Sequence, residues 1–74
     1  MEKGTKIHVE NCKVYPTHDS KINSIIINGD YYIYNETERN NRIRVTDDIN
    51  KINIPCSMTG WININDIKII NEWL

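Results

Sequence analysis

The sequence lacks alanine, glutamine and phenylalanine altogether, and its single leucine is Leu74. Alanine, leucine and glutamine are among the strongest helix formers, so their scarcity argues against an α-helical bundle. Isoleucine, with 15 copies, and asparagine, with 11, dominate instead. Isoleucine loses side-chain freedom in a helix but packs well on a pleated sheet, so a core of Ile, Val and Tyr predicts strands.

An excess of either charge is also missing, since nine basic and ten acidic residues give a formal charge of −1. This balance provides no field that would hold nucleic acid by charge alone, so we expect no nucleic-acid partner. The longest apolar run, Ile25–Ile27, is far shorter than the roughly 20 residues of a membrane-spanning helix, so we expect no membrane insertion. Residues 1–6 lack the apolar stretch of a Sec-type signal peptide.

Cysteine is scarce as well, with only Cys12 and Cys56. Two cysteines are too few for the disulfide framework of a small secreted domain, so reduced thiols are the default, with a Cys12–Cys56 bridge as the alternative. A chain of 74 residues has room for one small domain, which we place over residues 1–74, with a core over 6–70 and a short tail over 71–74.

Alternation of polar and apolar residues predicts the first strand at Lys6–Glu10. Cys12 and Val14 then fall on the opposite parity, so we expect a bulge or turn near Asn11 before the chain pairs again. Pro16–Ser20 has the composition of a loop.

The strongest hairpin signal is Asn28-Gly29, which lies between Ser24–Ile27 and Tyr31–Tyr34. Asn and Gly both tolerate the positive φ of a type I′ turn, and the flanks are β-branched or aromatic. A two-residue hairpin is therefore predicted here.

Three further stretches alternate with period two: Arg42–Thr46, Lys51–Ile54 and Gly60–Ile64. The second ends at Pro55, which cannot donate to a strand ladder. Asp66–Ile70 is a last short strand or a 3₁₀ turn leading into one. We predict an all-β fold, a small antiparallel barrel of about five to seven short strands.

No catalytic or metal site is expected. The only nucleophile and base pairs to weigh are His8 or His18 with Cys12 or Cys56, and neither cysteine lies in an activating motif. His8 and Cys12 would be roughly 13 Å apart on an extended strand, too far for one zinc ion. We predict a protein that is not an enzyme and that uses no cofactor.

Aromatic and arginine side chains are the better candidates for binding. Tyr32 and Tyr34 face away from Tyr31 and Ile33, Arg42 and Arg44 share a face opposite to Ile43 and Val45, and Trp61 falls on a polar face with Asn63 and Asn65. An exposed ring beside a guanidinium can hold a sugar, a peptide or a protein neighbour, although rings can also close the ends of a small barrel. The candidate binding residues are Tyr32, Tyr34, Arg42, Arg44 and Trp61.

Three segments carry a family resemblance: Tyr31–Tyr34, Asn41–Thr46 and Thr59–Ile62. In this order they resemble the tyrosine-rich strand, the N/G-R-I-R-V-T strand and the T-G-W-I/V step of bacterial SH3-like (SH3b-type) modules in phage and prophage proteins. The match spans about residues 6–70, and Val14–Thr17 is similar to the segment before the first long loop of that family. Lys13–Ser20 stands where wall-binding members have N-V-R-S-G-P-S, which argues against peptidoglycan recognition.

The resemblance implies a single SH3-like domain and two alternative roles. The first is a structural subunit of a phage tail, baseplate or related contractile particle, made in the bacterial cytoplasm and carried in a virion or prophage-derived particle. Its partners would be other particle proteins, which it would contact through strand edges and the aromatic and arginine face. The alternative is a cell-wall or peptide-binding module in which Arg42 or Arg44 meets a carboxylate.

Overall fold

The structure, a computed structural model, describes residues 1–69, and for Ile69 only the backbone. The strands are β1 (Lys6–Tyr15), β2 (Ile25–Arg39), β3 (Arg42–Thr46), β4 (Gly60–Asn63) and β5 (Lys68–Ile69), with 3₁₀ helices at Ile49–Lys51 and Ile64–Asp66. Within these residues no helix has the length and apolarity to cross a bilayer. Ile70 and the predicted tail over 71–74 lie outside the described residues.

The strands form a closed antiparallel ring. β2 pairs with β1 and β3, β3 pairs with β4, and β4 returns to β1. The predicted all-β barrel is confirmed, but four strands close it, fewer than the five to seven expected. β5 is a two-residue addition to the edge of β1. This architecture is compatible with an SH3-like fold.

β1 contains a bulge at Asn11, where the change of parity predicts one. Val9 pairs with Gly29 and Cys12 with Ile27, so three steps along β1 match two steps along β2. Asn11 adopts a φ of 47°, a left-handed conformation that asparagine tolerates. Because of this extra residue, the side chains of Cys12 and Val14 point into the core, as those of Ile7 and Val9 do.

The predicted hairpin at Asn28-Gly29 is wrong. β2 continues through both residues and pairs with β1 before and after them. Asn28 instead lies opposite the bulge, where its Oδ1 accepts the backbone N–H of Asn11 at 2.9 Å. A single long partner, β1, takes up both flanks of the dipeptide, so its turn propensity is overridden by strand pairing.

The tight turn occurs at Asn40-Asn41, between the paired residues Arg39 and Arg42. Both asparagines have positive φ, 51° and 61°, as a type I′ turn requires. The turn chemistry expected of the sequence is therefore present, but twelve residues after Asn28-Gly29, the stronger signal.

The strand predicted at Lys51–Ile54 is also wrong, because Lys51 ends a 3₁₀ helix and the next three residues form turns and a bend. The carboxylate of Asp48 accepts the backbone N–H of Asn50 at 2.9 Å and caps the helix. β3 already has β2 on one side and β4 on the other, so no edge is free beside it. Of the two alternatives predicted for 66–70, the structure has the second, a 3₁₀ turn that leads into a short strand, at 64–69.

Alternating side chains of every barrel strand fill one core. Ile43 and Val45 point inward from β3 as predicted, while Arg42 and Arg44 lie outside. The core contains Ile7, Val9, Cys12, Val14, Ile27, Ile33, Ile43, Val45 and Ile62. Tyr15 and Trp61 are buried too, but not in this cluster.

Gly60 is required where the barrel closes. It is buried at the start of β4 with a φ of +153°. A methyl group at this position would overlap Cγ1 of Val14 and lie 3.1 Å from the carbonyl oxygen of Tyr15. The close approach of β4 to β1 therefore needs a residue without a side chain.

We expect Gly60→Ala to destabilise the fold by about 3 kcal/mol, through overpacking together with backbone strain. Gly29→Ala is the matched control, since its φ is +109° but no atom lies within 4 Å of the added methyl. It should cost about 1 kcal/mol, from strain alone. Urea unfolding followed by tryptophan fluorescence measures both, and equal losses would contradict the proposed role of Gly60.

The two cysteines are free and differ in environment, since Cys12 is buried in the core and Cys56 is exposed. Burial, helped by the charge of Asp66, raises the pKa of the Cys12 thiol to about 11. Cys12 is therefore protonated at every pH below that value and shielded from reagents.

At pH 8 we expect the native protein to react with a thiol reagent at Cys56 alone, and Cys12 to react only after unfolding. Mass spectrometry of the labelled chain, with Cys56→Ser as the control, separates the two sites. Rapid labelling of native Cys56→Ser at pH 8 would show that the core around Cys12 opens readily.

Candidate functional site

Predicted site residues meet on the outer face of β1, β3 and β4. Trp61 pairs with Arg44 on one side and with Tyr15 on the other. Arg42 lies two residues from Arg44 on the same face of β3. Together with His18 from the loop over residues 16–24, these side chains form a unit that we call the outer cluster: Tyr15, His18, Arg42, Arg44 and Trp61.

Arg42 fastens the loop to the barrel. Its guanidinium carbon lies 3.6 Å from the centre of the Tyr15 ring. Its Nη1 donates to the carbonyl oxygens of Thr17 at 3.2 Å and Ser20 at 2.7 Å. Its Nε donates to Oδ1 of Asn63 at 3.0 Å. The planar guanidinium thus donates to two carbonyls of the loop at once.

Trp61 lies on the outer face as its parity predicts, but it is not the exposed platform that we expected, because only 7% of it is accessible. The His18 ring meets it edge-on with centroids 5.5 Å apart, and the Arg44 guanidinium lies 4.9 Å from its centre. Asn40, in the β2–β3 turn, donates to the carbonyl of His18 at 3.3 Å. The loop therefore folds over the ring, which local alternation could not foresee.

Arg44 differs from Arg42 in its partners. Its Nε is buried without a hydrogen-bond partner among residues 1–69, and no carboxylate there forms a salt bridge with it. A guanidinium held against an aromatic face and lacking an acid can receive a carboxylate from outside.

Tyr32 and Tyr34 are not part of this cluster. Tyr32 lies half-buried on β2, where it pairs with Lys6 and Thr46. The hydroxyl of Tyr34 donates to the carbonyl oxygen of Ile54, which fastens the β3–β4 connection to β2. The five predicted residues thus divide into two places, with only Arg42, Arg44 and Trp61 together.

A second feature is the open edge of β2, which sequence reasoning missed. Residues 25–31 pair with β1 alone within the described chain, because β3 meets β2 only from Tyr32 onward. Ile22 is 79% exposed, Ile25 49% and Ile26 56%. We call this edge with its three isoleucines the β2 edge patch. The run Ile25–Ile27 was the sequence signal for this exposure, because a strand points only alternate residues inward and three consecutive isoleucines cannot all be buried on one face.

The histidine and cysteine pair considered for chemistry is separated by the sheet. Cys12 points into the core, while His8 lies outside with Nδ1 3.0 Å from Oδ1 of Asp30. This hydrogen bond is the main reason that the pKa of Asp30 lies below its usual value. Among residues 1–69, no three His, Cys, Asp or Glu side chains are grouped to hold a metal ion, and no pocket is found.

Arg42→Lys should destabilise the fold by about 2 kcal/mol, because lysine keeps the charge but cannot make the forked contacts. The loop should also open, so trypsin should cleave faster after Lys21. Arg39→Lys, at an exposed position on β2, is the control and should change neither the urea midpoint nor the cleavage rate. Unchanged cleavage in Arg42→Lys would contradict the fastening role.

Comparison of the chain with models of known protein families, with curated proteins and with solved structures finds no match in any of the three.

Proposed function

We propose that this protein is a non-enzymatic docking module of a larger assembly and that it binds a neighbouring protein along the β2 edge patch. The observation that carries the proposal is an open strand edge bordered by exposed isoleucines at residues 22–31. Soluble proteins commonly protect such edges, since unpaired backbone groups recruit another strand.

Backbone and side chains of the β2 edge patch would act together. Alternate N–H and C=O groups of residues 25–31 point away from β1 and can pair with an added strand. Ile26 lies on the outer face beside Lys13, and Ile25 lies at the barrel end beside Val14. About half of each side chain is already buried, so covering the rest would add roughly 1 kcal/mol for each isoleucine.

The outer cluster supports this role indirectly. By fastening Thr17 and Ser20, Arg42 fixes the course of the loop that leads to Ile22. A preordered loop costs less entropy on binding than a flexible one. Tyr15 and Trp61 are therefore interpreted as structural supports of the docking surface.

The family resemblance suggests the setting of the assembly. We place the module in a phage tail, baseplate or related contractile particle, made in the bacterial cytoplasm. Its partners would be other proteins of that particle. The closed barrel is compatible with this SH3-like assignment.

One observation favours a second function, the binding of a cell wall or peptide. Arg44 has no acid partner within residues 1–69 and lies against Trp61. A peptide carboxylate could pair with it, as an SH3b-type wall binder would require. Trp61→Ala is a poor test of this role, because the ring is buried and its loss would unfold the barrel.

The docking role is tested by co-expressing the protein with the products of its neighbouring genes and measuring complexes by size-exclusion chromatography. Ile26→Lys should abolish the complex while leaving the urea midpoint nearly unchanged, since the side chain is 56% exposed. Ile49→Lys makes the same change at an isoleucine that is 45% exposed in a 3₁₀ helix outside β2, and it should leave the complex intact.

Two results would contradict the proposal. One is that neighbouring genes encode no particle proteins and their products form no complex. The other is that the protein sediments with purified Gram-positive cell walls and is released by Arg44→Gln but not by Ile26→Lys. That pattern would favour the wall-binding function.

A further inference from the structure

Two lysines border the β2 edge patch without neutralising partners. Lys13 pairs with Ile26 across β1 and β2, and Lys21 directly precedes Ile22 in the chain. Both are exposed, and within residues 1–69 neither forms a salt bridge or a side-chain hydrogen bond.

The acids near these lysines and the patch are engaged elsewhere. Glu10, the acid nearest to Lys13 in the chain, lies 3.5 Å from the Lys68 ammonium. Asp30, at the far end of the patch, accepts from His8 at 3.0 Å and lies 3.7 Å from the Lys6 ammonium. Asp19 accepts the hydroxyl of Thr17 at 2.9 Å. That bond, followed by the charge of His18, lowers the pKa of the Asp19 carboxyl, so the group stays ionised but turned to its own loop.

We propose that the occupant of the β2 edge patch is an extended segment of a partner protein that carries Asp or Glu together with apolar residues. This inference rests on the docking function above and names the partner's chemistry. Every second side chain of a strand added at the edge points to the outer face. There an apolar residue can cover Ile26, and an acid two positions along can reach across β2 toward Lys13. Charge complementarity then selects the partner and its register.

A second copy of this chain fits the patch less well. Its own β2 edge would bring one acid, Asp30, which is already bound to His8 and Lys6. It would also bring another unpaired Lys13 and Lys21. Like charges across an interface oppose association, so the two copies would not satisfy the lysines of the patch.

The test is a selection of random dodecapeptides on the immobilised full chain, followed by affinity measurement and amide hydrogen exchange. We expect enrichment of peptides that combine apolar and acidic residues, and protection of the amides of residues 25–31 on binding. Lys13→Glu with Lys21→Glu should weaken these peptides about tenfold, since rim charge pairs contribute modestly, and should favour basic peptides instead. Lys3→Glu with Arg39→Glu makes the same change in net charge away from the patch and should have little effect.

Three outcomes would overturn the inference in distinguishable ways. Peptides that protect residues 25–31 but bind the charge-reversed variant equally well would remove the acidic preference and leave the docking function standing. If no peptide is found that protects this edge on binding and fails to bind Ile26→Thr, both the acidic preference and the docking function are overturned. Sedimentation showing a wild-type dimer that Ile26→Thr converts to a monomer would make a second copy the occupant.

Discussion

The contact between β1 and β4 is the constraint on which the rest of this fold depends, although it is only two residue pairs long, Val14–Ile62 and Tyr15–Trp61. It converts a sheet with two edges into a ring. The two backbones approach closely because Gly60 has no side chain to meet Val14. A ring of this size has little core, so the loss of one close contact is a large part of its stability.

The same contact organises the outer face. Pairing Tyr15 with Trp61 places two rings side by side outside the core, where each needs a cover. Arg42 covers Tyr15 and Arg44 lies against Trp61, while His18 closes the remaining edge. Covering the rings also fixes the loop over residues 16–24. A packing requirement of the barrel therefore shapes the surface next to the β2 edge patch.

The length of β2 explains why an edge remains open. The first half of this strand follows β1 and the second half follows β3, so the strand serves two partners in succession. The first half then has a neighbour on one side only. Ile25 and Ile26 on this half, and Ile22 in the loop before it, remain exposed, whereas the isoleucines of the paired strands β3 and β4 are buried. Incomplete pairing, rather than a pocket, is what this small barrel offers to a partner.

Local alternation by itself determined the all-β class, the inward direction of Ile43, Val45 and Ile62, and the bulge near Asn11, because side chains in a strand point alternately to two faces. Only the tertiary structure decided which strands pair. Asn28-Gly29 became part of a strand because β1 was long enough to pair with both of its flanks, and Trp61 became covered because a loop distant in sequence folds over it. The alternation of side-chain direction is set by neighbours along the chain. The pairing of strands and the covering of Trp61 by the loop depend instead on where the ring of strands closes.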